Sequence, residues 1–406
     1  MRASTCIGLI TVLCLHATVS YAQTPSETDP LETMPIRFGP LGLSPTLTIT
    51  NFGVDSNIFN DSANPQSDFT MTVTPRVQAR LRNARVLWSG AMATGLVYFK
   101  KFSDERSIDY DADGRFDADL NWFRPYALAK LQDTRERLNA ELDARAPRTQ
   151  TTAAAGARAV VSPKVGFVVD ARQSSVRFSE GILFEGVPLS RTLNSKTNIV
   201  EGGLEVYLTP LTTFSMTASR QHDRFDESPE RDSDTFRIMP SLRMEAPAII
   251  EGSLAVGYRR FTPLSDALPS YSGLVALGSI SHTFIERTKV ALILSRDVQY
   301  SFELNEPYYL TTGFRVAVNH QVREELDLRV TAGRDRLEYR AEETVPDAVP
   351  DQKRRDRSSV FDVGAGYRFH PNLRVGFDVE YARRSSDRAE REYRRTRLFA
   401  SMNYGF

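Results

Sequence analysis

The stretch from residue 372 to residue 381 reads Asn-Leu-Arg-Val-Gly-Phe-Asp-Val-Glu-Tyr. Every second residue from Leu373 to Tyr381 is apolar. The intervening positions are Arg374, Gly376, Asp378 and Glu380. Successive side chains of a β-strand point to opposite faces, so this alternation predicts a strand with one apolar and one hydrophilic face.

The same period of two recurs along the chain, for example in residues 71–81, 138–145 and 326–333. From about residue 45 onward there are about eighteen such segments of roughly ten residues or more, the length that a tilted strand needs to cross a bilayer. We therefore predict an all-β chain, with a single closed antiparallel transmembrane β-barrel over residues 43–406. It has about 18 strands, or 16 if two segments are hairpins within loops, because both barrel ends lie on one side.

Short and long connections alternate between these segments, as in outer-membrane barrels with short periplasmic turns and long extracellular loops. A soluble β-sandwich also alternates, but it hides its apolar face in a core. The predicted long loops are 55–68, 103–114, 179–195, 226–233, 263–270 and 341–355.

The N-terminus has the features of a secretory signal over residues 1–22: Arg2, an apolar stretch, and Ser20-Tyr21-Ala22 before the expected cleavage site. The two cysteines, Cys6 and Cys14, fall inside it, which excludes a disulfide framework, a thiolate metal site and a cysteine nucleophile after cleavage. Residues 23–42 contain four prolines and no alternation, so we predict an N-terminal periplasmic linker.

The chain carries 51 basic and 51 acidic residues, and this balance argues against a nucleic-acid partner. Only seven of the basic residues are Lys. An arginine-rich lumen would favour anionic solutes such as acidic saccharides, unless arginines and carboxylates pair across neighbouring strands. The pore-lining candidates are Arg76, Arg80, Glu141, Asp143, Arg145, Arg172, Arg237, Asp327, Arg329, Arg374, Asp378 and Glu380, and further inward-facing positions are Arg158, Asp170, Glu205, Arg220, Arg243, Arg259 and Arg368.

The last segment, residues 398–406, alternates and ends in Tyr404 and Phe406. This ending is similar to the signal that the outer-membrane insertion machinery reads, so we expect that machinery and outer-membrane lipid as partners. Aromatic residues also collect near the predicted strand ends, where a girdle at the level of the lipid headgroups would place them.

Two loop segments have other possible roles. The apolar cluster Gly181–Phe184 would either fold inward as a constriction or plug, or pack on the rim and on other loops. The acidic stretch Asp109–Asp119 has carboxylates at alternate positions, which suit calcium, but Leu120 stands where an EF-hand has Glu. A solvated acidic loop is the preferred interpretation, and we predict no metal and no cofactor.

Enzymatic activity is not expected. His222-Asp223 superficially resembles the acid and imidazole of an outer-membrane protease, but a hydrolase needs further partners that the sequence does not supply. We assign no catalytic residue.

The start of the predicted barrel resembles a known family. Residues 37–45, Arg-Phe-Gly-Pro-Leu-Gly-Leu-Ser-Pro, and Asp55-Ser56-Asn57-Ile58-Phe59 are similar to the opening of the putative beta-barrel porin 2 family. The resemblance implies a Gram-negative outer-membrane barrel, and some members are linked to exopolysaccharide gene clusters. It implies no catalytic residues.

A barrel of 16 to 18 strands leaves room for water inside, whereas eight strands fill their own interior. The leading hypothesis is a porin-like channel for saccharides or a secreted polysaccharide. The alternative is a blocked barrel that serves as a structural or assembly component of an envelope complex.

Overall fold

The computed structural model describes residues 31, 34–246, 248–340 and 354–406. The predicted signal, residues 1–22, lies outside these residues, as does most of the predicted loop 341–355. The elements in chain order are β1 (Ile36–Phe38), β2 (Leu41–Asp55), β3 (Asp68–Asn83), β4 (Val86–Phe99), β5 (Ser107–Ala118), β6 (Phe123–Thr134), β7 (Arg148–Ser162), β8 (Val165–Phe178), β9 (Leu183–Phe184), β10 (Val187–Pro188), α1 (Leu189–Leu193), β11 (Ser195–Thr209), β12 (Thr212–Phe225), β13 (Ser233–Met244), β14 (Ile250–Pro263), β15 (Tyr271–Phe284), β16 (Thr288–Tyr300), β17 (Tyr308–Gln321), β18 (Leu326–Arg340), β19 (Arg355–His370), β20 (Leu373–Ser385) and β21 (Tyr393–Gly405).

All the long strands pair antiparallel with their neighbours in the chain, and β2 pairs with β21. The last ladder runs from Thr46 opposite Gly405 to Asp55 opposite Arg397 and closes the barrel. The closed wall has 18 strands, so the larger of the two predicted strand numbers is confirmed. The short β1 pairs only with the start of β2, and β9 pairs only with β10.

The apolar face of the strands points outward. On β20, Phe377 is 55% exposed whereas its neighbour Asp378 is 4% exposed. The same contrast holds around the wall, where Met92, Phe167, Phe314 and Val330 are exposed on outer positions. Large apolar side chains on the outside of a closed barrel face lipid, and the rival sandwich would have buried them.

Among the described residues, no helix is long and apolar enough to cross a membrane.

Two predictions about individual segments were wrong. Residues 138–145 were expected to form a strand, but they lie in the connection between β6 and β7. In that connection Leu138, Leu142 and Ala146 are buried together with residues of other loops. The three residues are four apart, and packing of the loop onto its neighbours explains the apolar positions that were interpreted as a strand.

Conversely, much of the predicted loop 103–114 is strand β5. Asp109 and Asp111 point inward, while Ile108 and Tyr110, which alternate with them, are 55% and 45% exposed on the outside. The carboxylates at alternate positions are therefore the hydrophilic face of a transmembrane strand. The loop between β4 and β5 is shorter than predicted and consists of residues 100–106.

The outward orientation of β20 gives a direct test. Phe377→Arg should block membrane insertion, since an arginine at the bilayer midplane of a barrel exterior costs about 2–4 kcal/mol. Asp378→Asn, one residue away and facing inward, should insert. The heat-modifiable mobility of the folded barrel in unboiled gels reports whether each variant has inserted. Equal behaviour of the two variants would contradict the assignment of Phe377 to the outer face and Asp378 to the inner face.

Candidate functional site

The inner wall of β18, β19 and β20 carries pairs of opposite charge that reach across the middle strand. Arg374 donates to Asp327 at 2.5 Å, and Arg329 donates to Asp378. In each pair the two residues belong to β18 and β20, and the strand between them is β19. Four of the predicted lumen residues are thus brought together as two ion pairs.

Two glycines on β19 make these pairs possible. Gly364 lies opposite both Arg329 and Asp378, and a Cβ on Gly364 would be 1.9 Å from Oδ1 of Asp378. A Cβ on Gly366 would be 1.9 Å from Nη2 of Arg374. Any side chain there would displace the ion pairs, so the Gly-Ala-Gly sequence of β19 was the signal that could have located this charged bridge.

Carboxylates elsewhere in the wall are shared between two arginines. Asp297 of β16 accepts from Arg237 at 2.9 Å and from Arg259 at 2.6 Å. Glu380 accepts from Arg397 at 2.6 Å and lies 3.5 Å from Arg395. Further pairs join Arg158 and Arg243 to Glu205, and Arg172 to Asp170.

The inner wall is therefore largely self-neutralising, as in the alternative in which arginines and carboxylates pair across strands. Arg76 and Arg80 also lie on the inner face of β3. Arg220 was expected to face inward but is exposed on the outside of β12, because the alternation there places Ser219 and Gln221 inside. The roles of the inward residues along a conducting path stay predictions.

The acidic residues of β5 use donors from the neighbouring strand β6. Asp111 accepts from Gln132 at 2.6 Å and lies 3.4 Å from Lys130, and Asp109 accepts from Thr134 at 3.0 Å. In the part of the chain that the structure describes, no group of three or more His, Cys, Asp or Glu side chains is arranged to hold a metal ion. His222 lies on the outer face with Nδ1 2.8 Å from Oδ1 of Asp234, and Arg224 contacts the same carboxylate at 2.9 Å.

Several loops pack against one another at the end of the barrel that carries the long connections. The connection 135–147, here called the plug segment, buries Leu142 against Phe302 and Leu189, which come from two other loops. Phe184 packs edge-to-face on Phe302 with the ring centroids 4.7 Å apart. The predicted apolar cluster 181–184 thus packs on other loops, although its Leu183 is 64% exposed.

Arginines from the far side of the barrel hold the plug segment. Arg384 of β20 donates to the main-chain oxygens of Ala140 and Glu141 at 2.9 and 3.1 Å and to the carboxylate of Asp143 at 3.2 Å. Arg391 donates to the main-chain oxygen of Glu141 as well. Glu141 and Asp143 were predicted on a strand, and they are instead buried in this plug, 1% and 7% exposed.

A second layer of buried charge supports these arginines. Asp356 is fully buried and accepts from Arg384 at 2.5 Å and from Arg354 at 2.9 Å. Arg354 also reaches Glu303 at 2.8 Å. Arg354, Arg384 and Asp356 thus each have a partner of opposite charge, which offsets the large cost of taking an isolated charge out of water.

The end of the β16–β17 hairpin also turns into the barrel. Pairing between β15 and β16 stops at Ala276 opposite Arg296, although both strands continue. Beyond that point Val298 and Tyr308 pack against Phe261, on the inner face of β14. Arg231 fastens the loop between the two strands through the main-chain oxygens of residues 301 and 303.

Glu141 occupies an unusual position within the plug segment. Its carboxylate accepts from the Ser301 hydroxyl at 2.5 Å, while Arg384 and Arg391 bind its main-chain oxygen. Burial without a salt bridge raises the pKa of Glu141 to about 7. This carboxyl group is therefore poised to change its charge near neutral pH.

The half of the lumen toward the short turns is different. Polar residues on the inner face there are exposed, among them Gln78, Asp113, Ser279 and Asn403. Exposed polar side chains inside a closed wall indicate space for water. The half of the enclosed volume toward the short turns therefore has space for water, whereas loop residues pack together at the opposite end.

Loss of the Arg384 contacts should release the plug segment. Arg384→Gln removes charged hydrogen bonds worth about 1.5–3 kcal/mol each. We expect trypsin to cleave the folded variant within residues 135–147 at least tenfold faster than the wild type. Arg383→Gln, the neighbour that faces outward, is the matched control, and equal cleavage of both variants would contradict the clamp.

A family model described as putative beta-barrel porin 2 matches residues 29–406. Comparison with curated protein sequences gives no significant match.

Solved outer-membrane proteins share the fold at low sequence identity. A BenF-like porin from Pseudomonas fluorescens Pf-5 is 10% identical, with 90% of this chain and 98% of that chain covered and a TM-score of 0.50. Pseudomonas aeruginosa OccK2 (OpdF), solved in complex with glucuronate, is 8% identical, with the same coverage and a TM-score of 0.50.

The protein is a porin-like barrel of a Gram-negative outer membrane. Because such barrels have short periplasmic turns and long extracellular loops, the end with the long loops is the extracellular end. The chain belongs to the putative beta-barrel porin 2 family.

Proposed function

We propose that this porin-like barrel is a gated channel for hydrophilic solutes of the saccharide class. The observation that carries the proposal is the contrast between a hydrated polar lumen toward the periplasm and a loop-filled extracellular mouth. The loops at the mouth are held by ion pairs and hydrogen bonds, which can break and re-form without unfolding the wall.

The saccharide class follows from how the wall presents its charges. Most inward arginines are already paired with carboxylates, as in Arg374–Asp327 and Arg237–Asp297. Such a wall has little net charge to attract a strong anion, but it offers closely spaced donors and acceptors. A polyhydroxylated solute can exchange hydrogen bonds along it, and this supports passage of saccharides or of a polysaccharide chain.

The blocked barrel remains a specific second candidate, because the plug segment is as well buried as a protein core. Leu142 and Glu141 are each 1% exposed, and Phe302 is fully buried. A barrel that never opened would serve as an anchor or assembly partner within the envelope.

Export and insertion belong to the same proposal. We propose that residues 1–22 direct secretion and that residues 23–42 form an N-terminal linker in the periplasm. Tyr404 and Phe406 would be recognised by the outer-membrane insertion machinery. The two rings contact each other edge-to-face, with centroids 4.8 Å apart, at the barrel end that carries the short turns.

Single-channel recording separates the two functions. A gated channel should give discrete current steps in planar bilayers from the wild type, together with swelling of liposomes in oligosaccharide solution. Cross-linking Glu141→Cys/Ser301→Cys with a short bifunctional methanethiosulfonate, which forms a disulfide with each cysteine and releases sulfinate, should abolish the steps, and reduction should restore them. The only other cysteines, Cys6 and Cys14, lie in the predicted signal.

Complete absence of current from folded wild-type barrels at all voltages would reject the channel and favour the blocked barrel. Current that persists after cross-linking would show that the plug segment is not the gate.

The mouth should open as the pH rises. The pKa of Glu141 in the closed state is about 7, above its ordinary value of 4.5, so the protonated side chain favours the closed state. This stabilisation of the closed state is complete below pH 4.5 and is lost as the pH rises through 7. Open probability should therefore be higher at pH 8 than at pH 5. Glu141→Gln, which cannot ionise, should remain closed at pH 8.

Glu230→Gln, which changes an exposed carboxylate in another loop, is the control and should keep the wild-type response. An unchanged pH response in Glu141→Gln would exclude Glu141 as its origin.

A further inference from the structure

Exposed arginines line the outer surface of β18 to β21 near the extracellular end. Five of them, Arg334, Arg336, Arg357, Arg383 and Arg394, are here called the arginine patch; Arg355, at the start of β19, lies opposite Glu338 and is not counted in it. Their inward neighbours, such as Asp335 and Arg384, belong to the lumen and the plug contacts. The patch is therefore a separate surface that faces away from the channel.

The strand register places like charges directly opposite each other. Arg336 lies opposite Arg357, and Arg383 lies opposite Arg394. Directly opposed like charges destabilise a sheet. Between them, Ser359 lies opposite Arg334 on one side and Arg383 on the other. The arrangement forms a small hydroxyl-centred area surrounded by guanidinium groups.

The patch lacks internal compensation. Within the described ranges, only Arg336 of these five has an ion pair, with Glu338 at 2.6 Å. The side chains of Arg334, Arg357, Arg383 and Arg394 form no hydrogen bond or ion pair with any described residue. This contrasts with the lumen, where arginines such as Arg374 and Arg397 have carboxylate partners.

The patch begins where the apolar band ends. The last outward apolar residues on the four strands are Ala332, Phe361, Tyr381 and Leu398. On β18 and β20 the next outward residue toward the extracellular end is a patch arginine. On β19 and β21 one other outward residue comes between the apolar band and the patch arginine. Aromatic residues of a barrel mark the level of the lipid headgroups, so the arginines lie among the headgroups of the outer leaflet.

We propose that the arginine patch binds the phosphorylated headgroup of an outer-leaflet glycolipid, with a phosphate seated over Ser359. Arginine forks pair with phosphate oxygens in a bidentate manner, and a phosphate bound there would relieve the repulsion across both opposed pairs. The acyl chains would then run down the apolar surface below, past Phe361 and Tyr381. The lipid would be held by the wall and not transported.

Binding of defined lipids tests the proposal. Folded protein in a non-ionic detergent is titrated with diphosphoryl lipid A, with its monophosphoryl form and with inorganic phosphate, and bound copies are counted by native mass spectrometry. We expect one tightly bound diphosphoryl lipid A, weaker monophosphoryl binding, and no competition by inorganic phosphate at equal concentration. Arg334→Gln/Arg357→Gln/Arg383→Gln should weaken lipid binding on the order of 100-fold.

The matched control replaces three outward arginines on other strands, as Arg177→Gln/Arg220→Gln/Arg260→Gln. None of these lies opposite another basic residue. The control should retain affinity within about twofold, since it removes equal charge away from the patch. Heat-modifiable mobility verifies that both variants are folded.

Equal loss of lipid in the control would show general charge attraction and overturn the patch as a site. Displacement of the lipid by inorganic phosphate at equal concentration would assign the arginines to free phosphate and would equally overturn the proposal.

Discussion

No water is available inside a bilayer to pair a backbone N–H or C=O group, so every strand edge in the hydrocarbon needs another strand. In this chain the ladder between β2 and β21 removes the last edge. Closure creates a wall with one face in lipid and one face around an enclosed volume. The alternation of each strand then assigns its residues to these two environments, and a shift of one residue would expose charges such as Asp378 to lipid.

Arginine has a different role on each side of that wall. Inside, guanidinium groups pair with carboxylates, and strand residues without side chains, such as Gly364, leave the space for a pair to span a neighbouring strand. At the mouth, Arg384 joins the wall to the plug segment. Outside, above the apolar band, arginines such as Arg383 stand without carboxylate partners. The same residue type thus lines the lumen, closes the mouth and faces the membrane surface.

The architecture was predictable because lipid on one side and water on the other impose a period of two on each transmembrane strand, as in residues 373–381. The period does not describe loops. Residues 138–145 show a similar pattern because Leu138 and Leu142 pack on other loops, and Asp109 to Asp113 were assigned to a loop because acidic residues at close spacing also suit turns. The plug contacts were out of reach, since Arg384 and Glu141 are 243 residues apart and no local pattern joins them.

The arginines that hold the plug segment grip it mainly by its backbone. Arg384 binds the carbonyl groups of Ala140 and Glu141, and Arg391 binds the second of these again. A carbonyl group is the same in every amino acid. The side chain at position 140 can therefore drift in evolution while the grip is preserved, whereas the two arginines cannot be replaced so freely. We therefore expect relatives to conserve Arg384 and Arg391 more strongly than the side chains of the plug segment.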